Sequence, residues 1–207
     1  KDAPQSVIAV VRDGIAVTDP RAPLLDLVNN ALGGSFTSRL NQNLREDHGW
    51  TYGASSGFSE ARGQGVFTAS AAVVTEQTGP SLKEMLAELK KMSASGLTDE
   101  EFGKVKAQDR ADLVQTYETV NGVAGRLGHL ALLSLAPDFD VSASRARQSA
   151  TAEQLVKLAA QVDPKPATIV VVGPSSAVLS QLAAVGLSAP ELWSAEGQPL
   201  SSPKPKR

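Results

Sequence analysis

The 207-residue sequence contains no cysteine, two histidines and only 4% aromatic residues, and its 20 Lys and Arg nearly balance its 22 Asp and Glu. Each scarcity removes a class of function. Without cysteine there are no disulfides, no thiolate nucleophile and no Cys-based zinc site, although both oxidising and reducing compartments tolerate such a chain. The near-neutral charge and scattered aromatics leave neither an electrostatic footprint for nucleic acid nor a platform for stacking bases. No apolar run approaches the roughly 20 residues that span a bilayer, and Lys1-Asp2-Ala3-Pro4 has none of the apolar stretch of a signal peptide. What remains is an ordinary globular composition, 42% hydrophobic, long enough to bury a substantial core. The absence of an initiating methionine, and the immediate start of a strand, read as a piece of a longer polypeptide.

Along the chain, Ser6–Arg12 is β-branched and apolar at successive positions, which predicts a strand covered on both faces. Asp19-Pro20 reads as the N-cap and first position of a helix carrying Leu24, Leu27, Val28, Ala31 and Leu32, interrupted at Gly33-Gly34. A second helical piece is expected from Ser35, with Phe36, Leu40 and Leu44 on one face and Gly49 ending it in the left-handed conformation. Strands near Thr51–Phe58 and Gly65–Val73 flank a polar turn and predict a hairpin. Gly79-Pro80 opens a helix closing near Gly96. Thr98 and Glu101 have capping-box spacing and open a long helix to about Tyr117. Further helices are predicted over Val120–Leu135, from Thr151 to about Val162, and from Pro174-Ser175-Ser176 to Val185. Thr168–Gly173 is a short apolar strand. This order describes an α+β layer fold, a small mixed or antiparallel sheet with helices on one face. It is read as one domain over residues 1–200, with a disordered polar tail at 201–207.

Catalytic signatures are sparse. His48 and His129 lie far apart with no HExxH, HxxEH or EF-hand spacing, so this chain is not expected to hold a metal by itself. Helix capping is the default for His48, and a packed or surface position for His129. Gly53-Ala54-Ser55-Ser56-Gly57 matches the nucleophile-elbow pattern, but that elbow joins a strand to a helix, and no histidine follows His129 to serve as base. Gly33-Gly34 and Gly63-Gln64-Gly65 are too short and wrongly placed for phosphate loops. There remain Arg45, in the last turn of a predicted helix, and Tyr52, seven positions later on a predicted strand. A forked cation and a phenol can together orient a peptide carbonyl, although neither cleaves it. The plainer account of Arg45 is a cation at a helix C-terminus, favoured by the helix dipole.

The run Ala31-Leu32-Gly33-Gly34-Ser35-Phe36-Thr37-Ser38-Arg39-Leu40-Asn41-Gln42-Asn43-Leu44-Arg45-Glu46, followed by Gly49-Trp50-Thr51-Tyr52, resembles the second-domain signature of the pitrilysin-type, M16 family of zinc peptidases. The opening Pro4–Ile8, the Leu97–Phe102 helix start and the Thr168–Gly173 strand resemble that domain too. The resemblance implies a LuxS/metallohydrolase-like fold in which two homologous domains face a cavity. One carries HxxEH, and the other supplies an arginine and a tyrosine that engage the peptide. Arg45 and Tyr52 fall at that spacing and nothing here matches HxxEH. The chain thus resembles the non-metal domain, or part of the non-metal subunit where the two motifs lie on separate chains.

On that resemblance the chain itself holds no cofactor. Zinc is expected in a partner domain or subunit bearing HxxEH, and a peptide or unfolded protein is the expected substrate. A homodimer or heterodimer is compatible, and family habit points to a bacterial periplasm or cell envelope. The segment near Ser55–Ser70 is expected beside the cavity, where a sheet edge could pair with an extended peptide. Two other readings stay open: a catalytically silent M16-like scaffold or binding subunit, and an independent hydrolase using Ser55.

Overall fold

The computed structural model of the chain describes residues 3–200; the tail predicted at 201–207 lies outside them. Four strands, β1 (Gln5–Asp13), β2 (Thr51–Phe58), β3 (Val66–Val74) and β4 (Thr168–Val172), form one antiparallel sheet in the order β2-β3-β1-β4. β1 is central, as its sequence predicts, with Ile8 opposite Ala71 on one side and Val171 on the other. Its expected burial on both faces does not hold. Ile8 and Val10 are sealed in the core, whereas Val7 is 45% exposed and its partner across the ladder, Val172, is 64% exposed. The helices lie on one face, and a row of valines on the other meets solvent.

The buried face of the sheet, with Phe67, Ala69, Ala71 and Val73 from β3, packs on Leu82, Met85, Leu89 and Met92 of α3 (Thr78–Ser95) and on Leu27, Val28 and Leu32. α1 spans Ala22–Asn29 and begins two residues later than Pro20 suggests. The Asp19 carboxylate is already engaged by the Arg21 backbone and guanidinium, forming a turn, and Pro23 takes the early helical position instead. The helix then widens into a π-helical turn, Asn30–Gly34. There Gly33 lies so close to β2 that a Cβ would sit 2.6 Å from the Ser56 backbone nitrogen, a contact open only to glycine.

The next helix starts at Arg39, four residues later than predicted, because Ser35 and Ser38 are both extended. α2 (Arg39–Asn41) runs directly into a π-helical segment, Gln42–Asp47, ended by Gly49 at φ 66°. Leu40 and Leu44 are fully buried; Phe36, outside the helix, is not. The GASSG stretch lies within β2 and leads into the hairpin, so it makes no strand-to-helix elbow.

α4 (Asp99–Tyr117) opens with both capping-box bonds, Glu101 N–H to Thr98 Oγ at 3.2 Å and Thr98 N–H to the Glu101 carboxylate at 2.7 Å. α5 (Val120–Leu133), α7 (Ala152–Ala159) and α8 (Ser175–Ala184) follow as predicted. α6 (Phe139–Ser149) is unforeseen, because apart from Ala143 the side chains that dock it are ionic. Arg126 forks onto Asp140 at 2.7 and 2.8 Å, Tyr117 donates to the same carboxylate, and Arg147 pairs with Asp109. No helix among the described residues is long and apolar enough to cross a membrane.

Candidate functional site

Arg45 and Tyr52 sit on the two sides of a three-residue connection, His48–Trp50, between the π-helical segment and β2. Gly49 donates its N–H to the Arg45 carbonyl at 3.0 Å and Trp50 donates to the Leu44 carbonyl at 3.0 Å, so the reversal is locked at the residues that carry the arginine. His48 is the C-cap residue, and its ring stacks on Trp50 with centroids 3.9 Å apart.

Tyr52 is held outward by an irregularity in the ladder. Thr51 pairs with Val73 and Ala54 with Ala71, leaving Tyr52 and Gly53 together opposite Ala72. Such a bulge bends the strand and re-aims a side chain. Thr51 stabilises it: its Oγ accepts the Gly53 N–H at 3.1 Å and lies 2.6 Å from the Ala72 carbonyl, to which its proton is available. The Tyr52 ring is 89% exposed. Among the described residues, its phenol has no hydrogen-bond partner.

Arg45 makes no side-chain hydrogen bond among the described residues, although it is ion-paired and set against a ring. Its Nη1 lies 3.0 Å from Glu46 Oε1 without hydrogen-bond geometry, and its Cζ sits 4.2 Å from the centroid of the Phe36 ring. By contrast, Arg39 in the same stretch has a structural assignment. It forks onto Glu101 at 2.6 and 2.6 Å and donates to the Gly96 carbonyl at 2.8 Å. Burial pushes the Glu101 carboxyl up, but the Arg39 fork and the Thr98 backbone outweigh it and hold the group below its ordinary value.

Two residues to which the sequence assigns no functional role organise this region. Asn41, 6% exposed, donates to the Ser35 carbonyl at 3.1 Å and accepts the Ala54 N–H at 2.9 Å. One amide thereby ties the Phe36 loop, the helix of Arg45 and the bulged strand of Tyr52 together. Phe36 is the other. The signal for the bulge was present in Thr51 and Gly53, a β-branched residue followed by a glycine inside a strand; Asn41 carries no comparable mark. The outer edge of β2 is occupied in its middle by Asn41 and backed by Gly33, which argues against the strand-pairing role anticipated near Ser55.

A separate concavity of about 310 Å³ surrounds the far end of β2, lined by Leu25, Phe58, Glu60, Arg126 and Asp140 among others. His129 contacts one of these lining residues, with Nε2 2.5 Å from Glu60 Oε2. Asp26 is also among the cavity's lining residues, with a side chain 61% exposed. The protein packed around it pushes its carboxyl above the ordinary value, against the pull of Arg147. The concavity contains neither Arg45 nor Tyr52. Among the described residues no group of three or more His, Asp or Glu side chains is placed to hold a metal ion, and Arg45 and Tyr52 themselves offer a guanidinium and a phenol, which do not suit zinc.

A family model described as the peptidase M16 inactive domain matches residues 1–108. The chain is 32% identical over 136 residues to a Bacillus subtilis protein named as an uncharacterized zinc protease, YmxG, a match covering 64% of this chain and 32% of that protein. The crystal structure of a peptidase M16 inactive domain from Pseudomonas fluorescens superposes with a TM-score of 0.73 at 27% identity, over 84% of this chain and 42% of the other. A protease from Helicobacter pylori superposes at 0.76 and 21% identity with the same coverages, a likeness of fold. The chain thus spans about a third of the YmxG length and less than half of each of these two solved chains. With more than half of its residues matched by the family model, the chain belongs to the M16 peptidase family, as one of its inactive domains.

Proposed function

We propose that this chain is the substrate-holding half of an M16-type zinc endopeptidase whose metal is bound by an HxxEH motif on another domain or subunit. In this reading the Tyr52 phenol donates a hydrogen bond to the oxygen of the scissile carbonyl, where negative charge develops, and the Arg45 fork grips a neighbouring backbone carbonyl. The observation that carries the reading is that neither group spends a side-chain hydrogen bond on the described residues. A phenol 89% exposed and a guanidinium, neither with a well-formed hydrogen bond among the described residues, flank one short connection. In a chain where Arg39 and Arg126 are each forked onto a carboxylate, such freedom fits side chains kept for a ligand.

The test uses the complete peptidase, this chain assembled with its HxxEH-bearing partner, and an internally quenched peptide. Tyr52→Phe should leave folding and partner assembly intact, since the hydroxyl contacts nothing it would leave unpaired. It should lower kcat by about a hundred- to a thousandfold, the usual cost of removing one such donor. Arg45→Lys should also lower turnover, because the charge stays but the planar fork is lost. Wild-type turnover in Tyr52→Phe removes the phenol from the mechanism and favours the scaffold reading. Chelator-insensitive cleavage by this chain alone would instead favour a hydrolase.

A further inference from the structure

We infer that Phe36 is a positioning residue for Arg45, its ring face serving as the platform that aims the guanidinium. The inference rests on the substrate-holding reading of Arg45 and adds a residue to it.

The starting observation is a misplaced aromatic. Spacing from Leu40 and Leu44 would put Phe36 on the buried face, yet those two leucines are wholly buried and Phe36 is 66% exposed. Its backbone explains the exposure. Ser35 and Ser38 are extended, so the segment between the π-helical turn and α2 is not helical and carries the ring away from the core. Leaving a large aromatic in water forfeits the stabilisation its burial would bring, so its location calls for a local partner.

That partner is Arg45, whose Cζ stands 4.2 Å from the ring centroid, well inside the range of about 6 Å in which a cation is drawn to an aromatic face. The guanidinium otherwise lacks a conventional anchor. Nη1 is shut off from solvent with no hydrogen-bond acceptor, and the nearby Glu46 carboxylate is poorly aligned. Held only by a carboxylate, the fork would spend its donors on that partner. A ring face fixes the plane and leaves the Nε and Nη2 N–H groups, those other than the enclosed Nη1, unspent.

The platform is itself rigid. Ser35 Oγ donates to the Asn30 carbonyl at 3.1 Å, Ser38 N–H bonds the Ser35 carbonyl at 3.2 Å, and Asn41 grips the same Ser35 carbonyl. The loop that presents Phe36 is therefore pinned to the helix that presents Arg45 and, through Asn41, to the strand of Tyr52. Stacking orients the guanidinium, and the Asn41 amide keeps the platform in register with the phenol.

A double-mutant cycle in the complete peptidase tests this. Phe36→Leu should reduce kcat/KM about two- to fivefold, the range of an exposed cation–aromatic contact, while Phe36→Tyr, which keeps the ring, stays near wild type. In an Arg45→Ala background, Phe36→Leu should have no further effect. An equal loss in both backgrounds would mean that Phe36 acts on its own account, and no loss in the wild-type background would mean that it does not act; either result overturns the inference.

A second readout needs no turnover. In NMR spectra of this chain, the Arg45 side-chain protons should be shifted upfield by the ring current, revert toward random-coil positions in Phe36→Leu and stay shifted in Phe36→Tyr. Unmoved signals in Phe36→Leu would likewise overturn it. If Arg45→Ala leaves activity intact while the spectra behave as expected, the substrate-holding reading fails and the stacking stands, so the two failures are separable.

Discussion

Replacing Asn41 with leucine should cost the chain far more than its helical, polar appearance suggests. The substitution keeps most of the side-chain volume but removes an acceptor and a donor at a site only 6% exposed. The Ala54 N–H, buried and bonded to Asn41 Oδ1 at 2.9 Å, loses its partner, and the Ser35 carbonyl loses the donor now at 3.1 Å. An unsatisfied buried group costs about 1–3 kcal/mol, so two partly relaxing groups give an expected destabilisation of about 2–4 kcal/mol. For a chain of this size that is a fall of about 5–15 °C in Tm. Asn41→Asp separates the two roles. It keeps an acceptor for Ala54 but turns a carboxylate oxygen toward the Ser35 carbonyl, loosening the Phe36 loop while holding the bulge. Thermal unfolding with amide hydrogen exchange distinguishes the cases. The Ala54 amide should exchange quickly in Asn41→Leu and slowly in Asn41→Asp. If Asn41→Leu unfolds within about 0.5 kcal/mol of wild type and the Ala54 amide remains protected, the bridging role assigned to this residue is wrong.

Two further predictions concern the scaffold. Because the Arg39 fork and the Thr98 backbone hold Glu101 below its ordinary value in the folded chain, its contribution is complete above that ordinary value and is lost as pH falls through the folded one. In urea titrations wild type should lose more stability than Arg39→Gln between about pH 5 and pH 3, and parallel pH profiles would refute the linkage. The exposed valines of the open sheet face should promote self-association of this chain at high concentration. Val172→Lys should lower the concentration-dependent mass in light scattering without lowering Tm, and an unchanged mass would show that another surface is responsible.

The sheet and most helices are legible because they follow one-dimensional rules. Alternation marks the hairpin, the Thr98 and Glu101 pair marks α4, and Gly49 marks the end of the helix that carries Arg45. Rules of periodicity fail where burial is not apolar. α6 docks through Asp140 and Arg147, so its sequence carries no hydrophobic stripe to read. They fail also where a period continues across a break. Phe36 keeps the spacing of Leu40 and Leu44 although its own residues are not helical. The spacing of Arg45 and Tyr52 identifies the candidate pair, but the freedom of their donors, the Phe36 platform and the Asn41 bridge are tertiary facts with no sequence mark of their own.

The bulge in β2 has a consequence for recognising relatives of this site. Ala54 and Ser56 point into the core, and counting back by twos from them assigns Tyr52 to the inside as well. The extra residue inverts the phase, so Thr51 takes the inward place and the phenol swings to water. A seven-residue separation between arginine and tyrosine is therefore insufficient by itself. A chain that preserved the interval over an unbroken ladder would hide its tyrosine among the leucines, whereas one that kept the doubled step would display it.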